Sequence, residues 1–458
     1  LARNAGAYKM RAIEGFRVVT TEQLNSPPQG DWLNWRRTLD GHSHSPLTQI
    51  SSENVAGLGL AWSMAMDRGS NQPTPLVRNG VMFLTHPNNK IQAIDAAIGD
   101  LIWEYQYVFP PASKMLGGPT RNIALWQDRL FLATYDAAIV AIDARTGQQL
   151  WRSQKADYQE AFTHSAGPIV ANGIVVSGIN GCELFTEAGC FITGHDPDTG
   201  EELWRTSTLA LPGTPEYSTW GAIDPDRRGG GDVWIAGSYD PSADLVYFGT
   251  SQPKPWAAPS RGMSVDDAAL FTNSTLALRP KTGELVWHFQ HVPGETIDME
   301  VGFERILADI DGTPVLLTVG KDGILWKLNR ETGEYIDLLD TMSQTIFAVN
   351  RDAGTLTYRK DIATAGIGDT YTACPGIYGG HNWQSATYDA SRHLLFLPVH
   401  QLCSDMTPRE VDGWWLAASD AALALSMVAL GEVESLPQSL GFWALTSKWV
   451  VESVSRQQ

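Results

Sequence analysis

The chain has 458 residues, 43% hydrophobic and 18% charged, which excludes wholesale disorder and leaves ample length for a buried core. A net charge of −18 opposes binding to phosphate backbones and suits a cationic partner surface. No apolar run reaches the ~20 residues needed to span a bilayer.

The chain opens at Leu1 without a charged segment followed by an apolar one, so no signal peptide is expected in it, and the start is read as processed or as a fragment. Short apolar strands such as Gly80–Leu84 and Leu130–Ala133 follow. They are interleaved with a recurring unit: a small or apolar pair, often an Asp, a glycine turn, then an apolar residue and Trp. It reads Ala93-Ile94-Asp95, Gly99 and Ile102-Trp103, then Ala141-Ile142-Asp143, Gly147 and Leu150-Trp151. It returns as His195-Asp196, Gly200 and Leu203-Trp204, and as Ala277-Leu278, Gly283 and Val286-Trp287. A weaker copy, Leu328-Asn329 and Gly333, carries Tyr335-Ile336 where the Trp would be. Asp or Asn caps such a turn, and Gly takes its positive-φ position. Four short strands per 40–50 residues is the pattern of propeller blades, rather than of an ordinary sandwich with chance hairpins. The 17 Trp and 43 Gly of the chain agree with many short strands and tight turns.

Four cysteines fall as two pairs, Cys182/Cys190 and Cys374/Cys403, without the Cys-x-x-Cys spacing of zinc or haem attachment. Two disulfides in an oxidising compartment are preferred over free buried thiols. After about Met406 the repeat is not seen, and Leu416–Leu430, rich in Ala and Leu, predicts a short helix.

Between the repeats lie motifs with chemical content: Gly181-Cys182-Glu183, Gly230-Gly231-Asp232-Val233-Trp234, and Gly249-Thr250-Ser251-Gln252-Pro253. Trp287-His288-Phe289-Gln290-His291 follows, with Asp298-Met299-Glu300 and Lys321-Asp322-Gly323, then Cys374-Pro375-Gly376 and Gly380-His381-Asn382-Trp383. With Gly30-Asp31-Trp32-Leu33-Asn34-Trp35 at the start, they resemble the pyrroloquinoline-quinone (PQQ) dependent alcohol dehydrogenases, the quinoprotein propellers. The similarity runs to about Cys403.

The resemblance implies an all-β fold, a quinoprotein-type β-propeller that is eight-bladed in the family and incomplete here. The expected boundaries are an N-terminal extension over 1–29, the PQQ-binding propeller over 30–406 and a divergent tail over 407–458. Its last repeats have no counterpart in the tail, so a truncated or frame-disrupted version is expected.

By the same resemblance Trp234 is the floor on which the quinone stacks, with Asp232 beside it. Arg121 pairs with a PQQ carboxylate. Ser165, Gln72, Lys321 and Asn382 complete the cofactor contacts. Glu183 and Asp298 are metal ligands, and Asp298 is also the catalytic base that takes the alcohol proton. Gln252 stands where the family has an Asn ligand. Glu300 stands where lanthanide-dependent members have an extra Asp. Residues two apart in an extended segment point the same way, so Asp298 and Glu300 are expected to share one ion, Ca²⁺ or a lanthanide. Met115-Leu116 replaces the family's two adjacent cysteines. Cys374 and Cys403 match the places of a family disulfide, and a Cys182–Cys190 bridge would tie down Glu183. The implied reaction is oxidation of an alcohol in the periplasm, with electrons passing to a separate cytochrome c-type acceptor because no haem motif is present. The alternative is a non-catalytic propeller scaffold of the outer-membrane assembly type, or an inactive truncated quinoprotein.

Overall fold

A computed structural model describes residues 10–110, 117–182 and 189–410, and the strands Phe442–Thr446 and Val451–Val454. The structure is almost entirely β. Six four-stranded antiparallel sheets are present among the described residues. Leu76–Arg78, Val81–His86, Lys90–Asp95 and Leu101–Gln106 form blade 1. Blades 2 to 5 span 124–154, 169–207, 238–290 and 306–340, and blade 6 begins with Thr387–Asp389 and Leu394–Pro398. Within each sheet the strands pair in spatial order one to four. The first strands of blades 2 and 3, and of blades 4 and 5, touch, as inner strands around a propeller axis do.

The repeat has a fixed register. In blades 1 to 4 the Trp of the fourth strand lies opposite a small residue of the third: Ala93↔Trp103, Ala141↔Trp151, Gly194↔Trp204 and Ala277↔Trp287. A register shift follows at once in every case, and such bulges sharpen the local twist. The small residue is a steric demand: a Cβ on Gly194 would lie 2.2 Å from the Trp204 ring.

Each Trp then covers the glycine turn of the next blade. Trp103 packs on Gly147 and donates to the Ala144 carbonyl at 3.2 Å; Trp151 does the same with Gly200 and Pro197, and Trp204 with Gly283 and Pro280. Two further residues play this part, one outside the recognised repeat and one in its weaker copy. Trp62 covers Gly99 and donates to Ala96. In blade 5, Tyr335 covers Gly354 and donates its hydroxyl to the Arg351 carbonyl. Asp337 stands there at the Trp register position, opposite Lys327, and binds Arg351 through both carboxylate oxygens.

Third strands are buried along their length, as in Ala138–Asp143, whereas the outer Gln149–Gln154 is largely exposed. Residues 31–42 fasten several blades together. Trp32 bridges Val77 of blade 1, and the carbonyls of Leu39, Asp40 and His42 accept from the amides of Tyr239, Leu307 and Tyr388 of blades 4, 5 and 6. Val19, in the segment expected to be an extension, is buried and bridges Gln127.

The stretch expected to be a divergent tail also contributes to a sheet. Phe442–Thr446 pairs with Leu394–Pro398, and Val451–Val454 completes blade 6. Ala444-Leu445 repeats the small-apolar pair of earlier third strands, a signal present in the sequence. The helix expected over Leu416–Leu430, and Met115-Leu116, lie outside the described residues. Both expected disulfides, Cys182–Cys190 and Cys374–Cys403, are formed. Among the described residues no helix is long and apolar enough to cross a membrane.

Candidate active site

The candidate residues occupy equivalent places in different blades. Gln72, Arg121, Ser165, Trp234, Glu300 and Asn382 each precede the first strand of blades 1 to 6 respectively, by a few residues. Gln252 and Lys321 follow the second strands of blades 4 and 5. Antiparallel pairing puts the start of a first strand beside the end of a second. Both groups of loops therefore open at one end of the propeller.

At the blade 5 entrance three charges are buried together. Lys321 Nζ lies 2.8 Å from Asp298 Oδ2 and 2.7 Å from Glu300 Oε1. The second oxygen of Glu300 accepts the Trp234 indole N–H at 2.8 Å. The Arg121 guanidinium stands 4.7 Å over the Trp234 ring, a cation–π distance. The carboxylates are both buried, whereas Trp234 is half-buried. Arg121 is tied to its neighbours by Arg121 N–H to Ser165 O at 3.2 Å and Thr74 N–H to Arg121 O at 2.8 Å.

The electrostatics divide the two acids. Burial pushes the Asp298 carboxyl well above its usual range; the Lys321 charge opposes this, and Glu300 adds to it. Burial would raise Glu300 too, but the charge and hydrogen bond of Lys321, with the Trp234 N–H, hold it below the usual range.

Several polar atoms of these loops are buried without a protein partner among the described residues: Asp298 Oδ1, Gln252 Oε1, Gln72 Oε1 and Arg121 Nε. Three are oxygens, the donors a hard cation takes. Arg121 and Lys321 are cations of the kind an anionic cofactor requires, and Trp234 offers a flat aromatic floor. This donor set fits an organic polyanion together with a hard metal ion.

Other expected residues are placed differently. Asp232 is occupied with structure: Oδ1 accepts the amides of Gly181 at 2.8 Å and Cys182 at 3.3 Å, while Oδ2 pairs with Lys254 at 3.1 Å. Its carboxylate thus anchors the chain just ahead of Glu183, which itself lies outside the described residues. Asn382 donates to the Tyr378 carbonyl and accepts from the Trp383 amide. Ser165 is held by Asn180, which accepts its amide at 2.9 Å.

Two buried acids beside these residues, Asp322 and Glu295, were given no role in the sequence reading. Asp322 accepts the Trp326 indole and the amides of Gly320 and Ile324, and burial lifts its carboxyl to about 7. Glu295 accepts three amides, described below. Its signal was Gly294, whose φ of +62 and tight contact with Val265 mark a constrained turn before an acid.

A family described as "PQQ: Glucose/ethanol/alcohol dehydrogenase, beta-propeller domain" matches residues 32–342. Quinohemoprotein alcohol dehydrogenase ADH-IIG of Pseudomonas putida is 32% identical over 416 residues, covering 85% of this chain and 56% of that protein. The dehydrogenase subunit of the alcohol dehydrogenase (quinone) of Gluconobacter oxydans (strain 621H) is 31% identical, over 88% of this chain and 57% of that protein. The chain thus spans a little over half the length of these relatives. The solved structure of ADHIIG from Pseudomonas putida HK5 superposes with a TM-score of 0.82 at 28% identity, covering 96% of this chain and 68% of that one. A europium-containing methanol dehydrogenase, 23% identical, shares the fold with a TM-score of 0.82 over 95% of this chain and 80% of its own.

Proposed function

The chain belongs to the PQQ β-propeller family of glucose, ethanol and alcohol dehydrogenases, and from that premise we propose that it oxidises an alcohol to an aldehyde or ketone with PQQ and a hard metal ion. The observation that carries this reading is the buried Asp298–Lys321–Glu300 cluster beside Trp234, with Asp298 Oδ1 unpartnered.

Bound PQQ would supply the two-electron acceptor, and the ion beside it a Lewis acid. Trp234 and Arg121 hold the cofactor by stacking and charge, with Gln72, Ser165 and Asn382 at the surrounding loops. Glu183, Asp298, Glu300 and Gln252 offer the oxygens for the ion, Ca²⁺ or a lanthanide. Asp298 accepts the alcohol proton at Oδ1, since Oδ2 is bound to Lys321. A raised carboxyl is the stronger base for that task. Lys321 keeps the carboxylate oriented and offsets negative charge developing in the site. The substrate is a small alcohol. The two disulfides suit an oxidising compartment, here the periplasm. The acidic chain would steer a basic cytochrome c-type acceptor to it.

A non-catalytic scaffold has no use for three buried charges at one loop cluster, whose desolvation a packed apolar core would avoid. The test is reconstitution with PQQ and either Ca²⁺ or La³⁺, followed by dye-linked oxidation of a panel of alcohols. Metal-dependent turnover that is lost in Asp298→Ala supports the reading. Failure to bind PQQ with either ion overturns it.

A further inference from the structure

Asp298 has a backbone φ of +106, in the region that side chains other than glycine's rarely adopt. Such strain persists only where the surroundings impose it. Here the imposing group is one oxygen atom. Glu295 Oε1 accepts the amides of Ile297 at 2.6 Å, Asp298 at 2.6 Å and Met299 at 2.9 Å. Three consecutive N–H groups can converge on one acceptor only if the backbone between them curls.

The post that holds this oxygen is itself fixed. The Glu295 carbonyl accepts from Arg261 Nη2 at 2.7 Å, and Arg261 also donates to Pro255 and Trp256. Thr296 Oγ1 accepts the Ala258 amide, and the Thr296 carbonyl accepts the Tyr371 hydroxyl. Glu295 and Arg261 are each about 1% exposed. The acceptor is thus tied to the 255–261 segment within blade 4 and to Tyr371.

We infer that Glu295 is a positioning residue for Asp298. It gathers the three amides, holds residue 298 at positive φ and so aims the Asp298 carboxylate at Lys321 and the reacting alcohol. The catalytic part of this statement rests on the function proposed above; the conformational part does not.

The test is a double-mutant cycle on thermal unfolding, with Glu295→Leu measured alone and in an Asp298→Gly background. Glycine adopts positive φ freely, so it no longer needs the post. The expected result is a fall in midpoint with Glu295→Leu that is at least twofold smaller in the Asp298→Gly background. Should Glu295→Leu alone not fold, the expected result is that Asp298→Gly restores folding. Equal losses in both backgrounds, or no rescue, overturn the inference. In the reconstituted protein, Glu295→Gln keeps an oxygen acceptor and should retain turnover within about threefold, whereas Glu295→Leu should lower kcat at least 100-fold with KM changed less than threefold. A loss carried mainly by KM overturns the positioning role. A wild-type protein without turnover would refute the proposed function while leaving the unfolding cycle to judge Glu295.

Discussion

The Trp234 indole N–H donates to Glu300 Oε2 at 2.8 Å, so the aromatic floor and the second carboxylate of the site are one hydrogen-bonded unit. Glu300 is thereby committed at both oxygens, to Trp234 and to Lys321. A cation entering the site would compete with Lys321 for that carboxylate, and a trivalent ion competes better than a divalent one. Glu300→Ala should therefore weaken lanthanide-supported alcohol oxidation at least tenfold more than calcium-supported oxidation. Dye-linked rates with each metal check this; equal losses would make Glu300 a neighbour of the site only.

Asp298→Ala should lower turnover by roughly 10³-fold, as expected for a general base, with the propeller still folded by circular dichroism. Lys321→Met should shift the pH profile. Burial raises the Asp298 carboxyl and the Lys321 charge restrains it. Removing the ammonium lets the carboxyl rise further, so the acid limb of kcat/KM moves to higher pH. An unchanged or lower limb would mean that Asp298 is not the titrating base.

A second buried acid gives a stability test. Burial alone would raise the Glu304 carboxyl, but the His381 imidazole 3.8 Å away, the Arg36 charge and the Ala386 amide bring it down to about 2. Arg36 lies 3.9 Å away, and the amide donates at 2.7 Å. The folded value is depressed, so this stabilisation is complete above the unfolded value near 4.5 and is lost as pH falls toward 2. Glu304→Gln should cost on the order of 3 kcal/mol at neutral pH, and the deficit should shrink below pH 4.5. Urea unfolding across pH 3–7 measures it.

The inter-blade contact is tested at Gly147. Its φ is +73, and an added Cβ would lie 2.7 Å from the Trp103 ring. Gly147→Ala should lose about 2–4 kcal/mol, from backbone strain and overpacking together. Gly80, at φ +77 with open space around it, isolates the backbone share: Gly80→Ala should lose only about 1–2 kcal/mol. Similar losses at both sites would remove the Trp–Gly contact from the argument.

The blades were legible in the sequence because their determinants are local. A glycine turn, a small residue opposite a Trp and a period of two all lie within twenty residues, so Ala93 and Trp103 announce their own pairing. The residues proposed for the site, from Trp234 to Lys321, were named in the sequence only through the resemblance of their motifs to the quinoprotein family; the blade period does not mark them. Long-range closure was not legible. Tyr335 covers its glycine from a register two residues before the Trp position and Trp62 from a segment outside the repeat, and Phe442–Thr446 joins Leu394–Pro398 across a separation that periodicity does not record. The charge arrangement also belongs to the tertiary structure. Only packing brings Lys321 between Asp298 and Glu300, commits Asp232 to Gly181 and Cys182, and sets Glu295 under three amides. The physical reason is that burial and distance set the energy of a charge, and both are properties of loops converging from different blades.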